Sequence, residues 1–185
     1  MTRHDALALL KEYTQSESLL KHALAVEAAM RFYAALDGGD VELWGVIGLI
    51  HDFDYERWPQ PPEHTQQGAR ILRERGVDEE ILGAVLSHAE WNREQYPLDR
   101  PVRKTLCAVD ELCGFVTACT LVLPSKAIAD LKFESVRKRM KDKAFARSVN
   151  RDDIVDGAAA IGMDLDAHIA FVVEAMRGES AALSL

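Results

Sequence analysis

Apolar residues recur along this chain at spacings of three and four, the signature of helices with one buried face. Leu19, Ala23, Val26, Met30 and Tyr33 form the first long stripe, and Thr14 and Glu17 have the spacing of a capping box ahead of it. Gly38-Gly39 should end that helix, and Asp40 is placed to cap the next. The second segment, from about Val41 to Asp52, is apolar on nearly every side through Leu43, Trp44, Val46, Ile47, Leu49 and Ile50. A helix with no polar face belongs in the middle of a domain. A proline-rich loop, Asp54 to Glu63, follows. The periodicity then predicts helices at about 63–75, 79–91, 101–121, 126–146, 151–161 and 165–177, with Gly76 as a C-cap and Asp78, Asn150 and Asp164 as N-caps. No alternation long enough for a strand occurs, so the expected fold class is all-α.

Composition narrows the function classes. At 185 residues, with no internal repeat and no Gly/Ser linker, the chain is expected to be one domain. Hydrophobic residues at 48% exclude a disordered chain, and a net charge of −8 argues against nucleic acid as a partner. The longest apolar run, Leu43 to Ile50, is far short of the ~20 residues of a membrane helix, and Met1 to Leu10 lacks a signal-peptide core. Cys107, Cys113 and Cys119 form no CxxC pair and are odd in number, which suits free thiols in a reducing compartment. The expectation is a cytoplasmic protein.

The chemistry lies in polar residues that interrupt apolar stripes. His22 sits between Leu19 and Val26, His51 follows Ile47 by four, His64 precedes Gly68 by four, and His88 follows Val85 by three. Asp110, four after Leu106, interrupts another stripe, and Asp52 adjoins His51 at the end of the most apolar segment. One inward His is ordinarily a hydrogen-bonded core residue, and one inward Asp ordinarily has a basic partner. Five such positions on five helices are harder to explain separately. Each buried carboxylate costs several kcal/mol unless a cation offsets it, and no Lys or Arg lies on the matching faces of the first four helices. A divalent metal supplies that charge and accepts imidazole and carboxylate together. His and Asp donors suit Fe, Mn, Co, Ni and Zn alike, and Mg is not distinguished from them.

The order His22, His51-Asp52, Asp110 resembles the H…HD…D pattern of the HD superfamily of metal-dependent phosphohydrolases. The matching stretches are KHALAVEAA, GLIHDFDYE and AVDELCGF. EHTQQGARIL and AVLSHAEW are similar to the extra histidine segments of HD proteins that hold two metals, and residues 124–176 resemble the C-terminal extension of small stand-alone bacterial HD proteins. The resemblance implies a helical bundle with its core at about 16–121 and a helical extension over about 124–177. It further implies that His22, His51, Asp52 and Asp110 hold a first ion, and that His64 and His88 hold a second with Asp52 bridging. The reaction implied is hydrolysis of a phosphate ester, including that of a nucleotide, by a metal-activated water. Gln95-Tyr96-Pro97 and Ser87-His88 depart from the GYP and HH motifs of HD-GYP phosphodiesterases, so that branch is not supported. Rival readings are an HD-type di-iron oxygenase and a non-catalytic nucleotide-binding or interaction module on the same scaffold.

Other residues are expected to assist. Asp54 or Glu56, just after the HD pair, is placed to orient water or carry a proton. Arg137 to Arg151 carries seven basic residues against Asp142, and Arg137, Lys141 and Arg147, with Lys126 upstream, are candidates to guide a small phosphorylated substrate. Val136, Met140 and Ala144 would give that helix an apolar seam. Trp58 and Trp91 could rim a pocket, whereas His4 and His168 are expected to face solvent and the cysteines to fill space in a helix.

Overall fold

A computed structural model describes residues 1–185, and every regular element in it is helical. α1 (Arg3–Tyr13) leads into α2 (Glu17–Asp37) and α3 (Val41–Ile50), followed by α4 (Glu63–Glu74) and α5 (Glu79–His88). α6 (Pro101–Leu121), α7 (Phe133–Arg139), α8 (Arg151–Ala160), α9 (Leu165–Gly178) and α10 (Ser180–Leu183) complete the chain. No helix is long and apolar enough to cross a membrane.

α3 occupies the middle, as its all-round apolarity requires: seven of its ten residues, Trp44 to Ile50, are buried between α1, α2 and α5. α6 is the second axis. It starts with Pro101 at its first turn and buries Leu106, Val109, Leu112, Cys113, Val116 and Cys119 against α2, α8 and α9. α8 crosses α6 so closely that a Cβ on Gly157 would lie 2.6 Å from the Ala108 Cα, so glycine is required there.

α1 was not expected from the periodicity. Its start is set by Thr2 and Asp5, which form a reciprocal capping box. Thr14 and Glu17 do not form one: the Thr14 hydroxyl donates to Phe53 O at 3.1 Å, tying the α1–α2 turn to the chain just after α3. The expected helix over 126–146 is also broken, and arginines brace the turns on either side of its one regular piece. Arg177 donates to Ile128 O and Leu131 O. Arg151, stacked over the Phe115 ring, donates to the carbonyls of Phe145, Ala146 and Val149. Ile128 O and Ala146 O accept i→i+3 bonds from Leu131 N and Val149 N as well, so the guanidinium groups brace turns in place of a continuous i→i−4 ladder. Asp142 also accepts from Ala144 N in a local turn, which leaves only α7 regular. Val136 and Met140 keep their seam positions, and Ala144 is exposed.

His168 corrects another expectation. It is fully buried on α9, where its Nε2–H donates to Ala108 O at 2.9 Å and its Nδ1 accepts from the Tyr33 hydroxyl at 2.7 Å. One imidazole thus joins α9, α6 and α2, two residues from Asp110.

Candidate metal centre

α3 ends at Ile50, and His51 and Asp52 lie in the turn that follows. In a continuing helix neighbouring side chains would diverge by about 100°, so both can face one point only where regular geometry stops. His22 comes from the first half of α2, Asp110 from the middle of α6, His88 from the last residue of α5 and His64 from the first turn of α4. All six side chains converge. His22 Nε2 lies 3.0 Å from Asp110 Oδ1, and His51 Nε2 lies 3.4 Å from the same oxygen and 3.6 Å from Asp52 Oδ2. On the other side, His64 Nε2 and His88 Nε2 lie 3.2 and 3.1 Å from Asp52 Oδ1.

Three of the four imidazoles are fixed from behind. His51 Nδ1–H donates to Gly48 O at 2.8 Å, His88 Nδ1–H to Val85 O at 2.5 Å, and His64 Nδ1–H to Asp54 Oδ1 at 3.0 Å. Each Nε2 is thereby turned towards the carboxylates, the arrangement that orients histidine ligands in metal sites.

Asp54 is fully occupied by that task. Besides His64, it accepts from Thr65 N at 2.9 Å and Gly68 N at 2.8 Å. A Cβ on Gly68 would come within 2.8 Å of Asp54 Oδ2, so glycine admits the carboxylate. Thr65 sits at φ 69°, an outlier for a β-branched residue, and is held there by Asp54 and by Asn92 Nδ2, which donates to its hydroxyl oxygen at 2.8 Å. The strain is located where it aims His64. Asp54, 1% exposed, is therefore not free to orient water as the sequence had suggested. Glu56 is also displaced from that role: it accepts from Gln15 N and Ser16 N at the start of α2, outside the cluster.

The electrostatics are those of a site short of positive charge. Burial opposes the charge of Asp52, but His51, His64 and His88 outweigh it and hold the carboxyl well below its usual range. Asp110 is held low in the same way, by His51 and His22 against burial. Burial likewise disfavours protonated His51 and His64, yet Asp52 with Asp110, and Asp52 with Asp54, push these imidazoles up to about 9. Even so, His51 Nε2 is completely buried and has no hydrogen-bond partner. A buried nitrogen without a hydrogen bond, 3.4 and 3.6 Å from two carboxylates, calls for positive charge, which a proton supplies in the metal-free protein and a metal ion supplies by displacing it. The donors form two groups, His22–His51–Asp52 and Asp52–His64–His88, each with ligand atoms within 4.8 Å of one another. The residues therefore fit two divalent ions sharing Asp52.

A cavity of about 500 Å³ opens onto Asp52, His64, His88 and Asp110. Arg93 and Lys104 are its basic residues, and Glu90, Glu111, Asp153 and Asp156 line its outer wall. Burial, then the neighbouring Asp110, pushes Glu111 up to about 7. Trp91 stands at the rim, 41% exposed and 6.0 Å from the His64 ring, whereas Trp58 packs on Tyr13. Cys107 also lines the cavity; Cys113 and Cys119 are buried and free.

None of Lys126, Arg137, Lys141 and Arg147 lines this cavity. Lys126, Lys141 and Arg147 are exposed, and Arg137 pairs with Asp166 at 2.9 Å. Of the segment 137–151, Asn150 alone lines the cavity. Arg93 and Lys104 were missed by sequence reasoning. Lys104 was detectable, because it shares one α6 face with Cys107 and Glu111 at helical spacing. Arg93 was not, since the 3-10 turn Glu90–Asn92 folds it back to donate to Ser87 O and His88 O.

The family model of the HD domain matches residues 19–113, which span every residue of the cluster. No solved structure matches the chain.

Proposed function

The chain belongs to the HD-domain family, and from that premise we propose that it is a metal-dependent phosphohydrolase acting on the ester of a small phosphorylated molecule. The observation that carries this reading is the buried, partnerless His51 Nε2 set between Asp52 and Asp110. His22, His51, Asp52 and Asp110 would hold one divalent ion, and Asp52, His64 and His88 a second. Ions bound there supply a Lewis acid for the phosphoryl oxygens and acidify a water for attack.

The chain's own residues supply the rest. Gly48 O, Val85 O and Asp54 keep three Nε2 lone pairs aimed inward, so the donor set forms without rearrangement. Arg93 and Lys104 are positioned on the cavity wall to take the phosphoryl oxygens that the cluster does not reach. Arg93 is already oriented by two carbonyls, which reduces the entropy lost when it grips an anion.

The test is a panel of phosphomonoesters, phosphodiesters and nucleotides, assayed with Mn, Co, Ni, Zn, Mg and Fe added in turn. Hydrolysis that depends on added metal and disappears in Asp52→Ala is expected. An iron-loaded protein that consumed O₂ while leaving every ester intact would replace this reading with an oxidative one.

A further inference from the structure

α4 and α5 are joined by the short connection Arg75–Asp78, and His64 and His88 stand at the opposite ends of the two helices. A connection at one end does not set the spacing at the other. Nor does regular helix geometry place either histidine. His64 and Thr65 have non-helical backbone (ψ 137° at His64, φ 69° at Thr65), and His88 is the last residue of α5, before Ala89 turns to extended backbone. Yet both Nε2 atoms come to 3.2 and 3.1 Å from one oxygen, Asp52 Oδ1, with the rings 5.4 Å apart. The Asp54 carboxylate accepts from His64, Thr65 and Gly68, all on α4, so it braces His64 without relating it to α5.

Asn92, in the 3-10 turn after α5, makes that link. Its half-buried carboxamide uses both N–H bonds, donating to Thr65 Oγ1 at 2.8 Å and to Leu86 O at 3.0 Å. A backbone carbonyl can only accept, so the amide nitrogen and not its oxygen faces Leu86. The Thr65 hydroxyl donates in turn to His64 O. A chain of hydrogen bonds thus runs from the last turn of α5, through Asn92 and Thr65, to the backbone of His64. Leu86 O belongs to the helix end whose carbonyls lack intrahelical donors, and Arg93, next to Asn92, takes Ser87 O and His88 O there. We propose that Asn92 is a positioning residue for the second ion: it sets the gap between His64 and His88, and so tunes the affinity of the Asp52–His64–His88 group without itself touching metal or substrate. This rests on the two-ion reading of the cluster. In the other group, His22 lies on α2 and His51 and Asp52 in the turn after α3, so none of its members is on α4 or α5.

Metal-free wild type, Asn92→Ala, Thr65→Val and the double variant are titrated with Zn²⁺ by calorimetry, and ¹⁵N spectra of the imidazole rings identify which histidines bind. Partners that orient a ligand directly are worth about 10–100-fold in metal affinity, and Asn92 acts one link further back. Affinity for the ion held by His64 and His88 should therefore fall about tenfold in Asn92→Ala, the low end of that range, and affinity for the ion held by His22 and His51 should not change. Thr65→Val cuts the same chain at its next link, so the double variant should bind no more weakly than Asn92→Ala alone. Two separate structural injuries would multiply instead. Should Asn92→Ala fail to fold by circular dichroism, the same selective loss is required of Thr65→Val by itself. Unchanged affinities, equal weakening of both ions, or multiplied losses in the double variant overturn the positioning role and leave the two-ion cluster standing. Wild type that takes up one Zn²⁺ at saturation, with His64 and His88 free, would instead remove the second site, and the role of Asn92 with it.

Discussion

His51 and His168 are both completely buried imidazoles in the same protein, and their surroundings are opposite. His168 has a donor on one nitrogen and an acceptor on the other, supplied by Tyr33 and Ala108, so the neutral ring is fully satisfied and burial lowers its pKa. His51 is satisfied only at Nδ1, and two carboxylates face its free Nε2. The first arrangement is a finished piece of structure that pins α9 to α6 and α2. The second is complete only with a cation. Burial therefore does not separate a core histidine from a ligand; the valence left open does.

The largest effect that could break this contrast is Asp52→Ala. Removing the shared carboxylate should lower ester hydrolysis by at least ~10³ and abolish stoichiometric metal retention, with helicity and cooperative unfolding preserved. Metal analysis beside a hydrolysis assay and circular dichroism checks it; near-full hydrolysis would sink the proposed chemistry. His168→Leu should do the reverse. Ala108 O and the Tyr33 hydroxyl would lose their partner, costing about 1–3 kcal/mol in urea unfolding, and metal stoichiometry should not change.

Metal affinity itself is sharpened by Asp54→Asn, which weakens the acceptor behind His64 Nδ1. A fall of about 10–100-fold in affinity for one of two ions, by calorimetric titration, is expected. Equal affinities for mutant and wild type would show that Asp54 only braces the backbone.

Protonation separates the two histidines with opposite signs. In metal-free protein His51 and His64 are raised to about 9. Their contribution to stability is full below the unfolded value of about 6.5 and is lost as pH rises through about 9. His168, being lowered, contributes fully above about 6.5 and loses that contribution as pH falls below it. Ring resonances should show His51 and His64 protonated and His168 neutral at pH 8. Metal uptake at that pH should release protons, and affinity should rise with pH. Uptake without proton release would contradict the assignment.

The smallest effect is expected from Lys141→Glu. Lys141 is exposed and outside the cavity, so it can act only by long-range attraction on an anionic substrate. Apparent affinity should weaken modestly, and the difference should vanish at high salt, since exposed charge is screened over ~10 Å at 0.1 M. A salt-insensitive loss would mean direct contact.

The sequence by itself determined the all-α class, the central place of α3 and the bounds of α6, because helical periodicity and capping residues are local properties. It also singled out His22, His51, Asp52, His64, His88 and Asp110, each a polar residue breaking an apolar stripe, and the structure brings these six together. Only the tertiary structure decided what their neighbours do. Asp54 looked like a free carboxylate beside a reactive pair, yet Thr65 and Gly68, eleven and fourteen residues on, claim it. The basic segment read as one helix, yet only Phe133–Arg139 is regular, and Arg177 and Arg151 brace the turns before and after it. His168 lay on a flank that looked polar, and became core because Tyr33 and Ala108, far away in the chain, offered matching hydrogen bonds. Spacing reveals which residues share a helical face; which partners meet that face is set by packing between elements, and no local pattern encodes it.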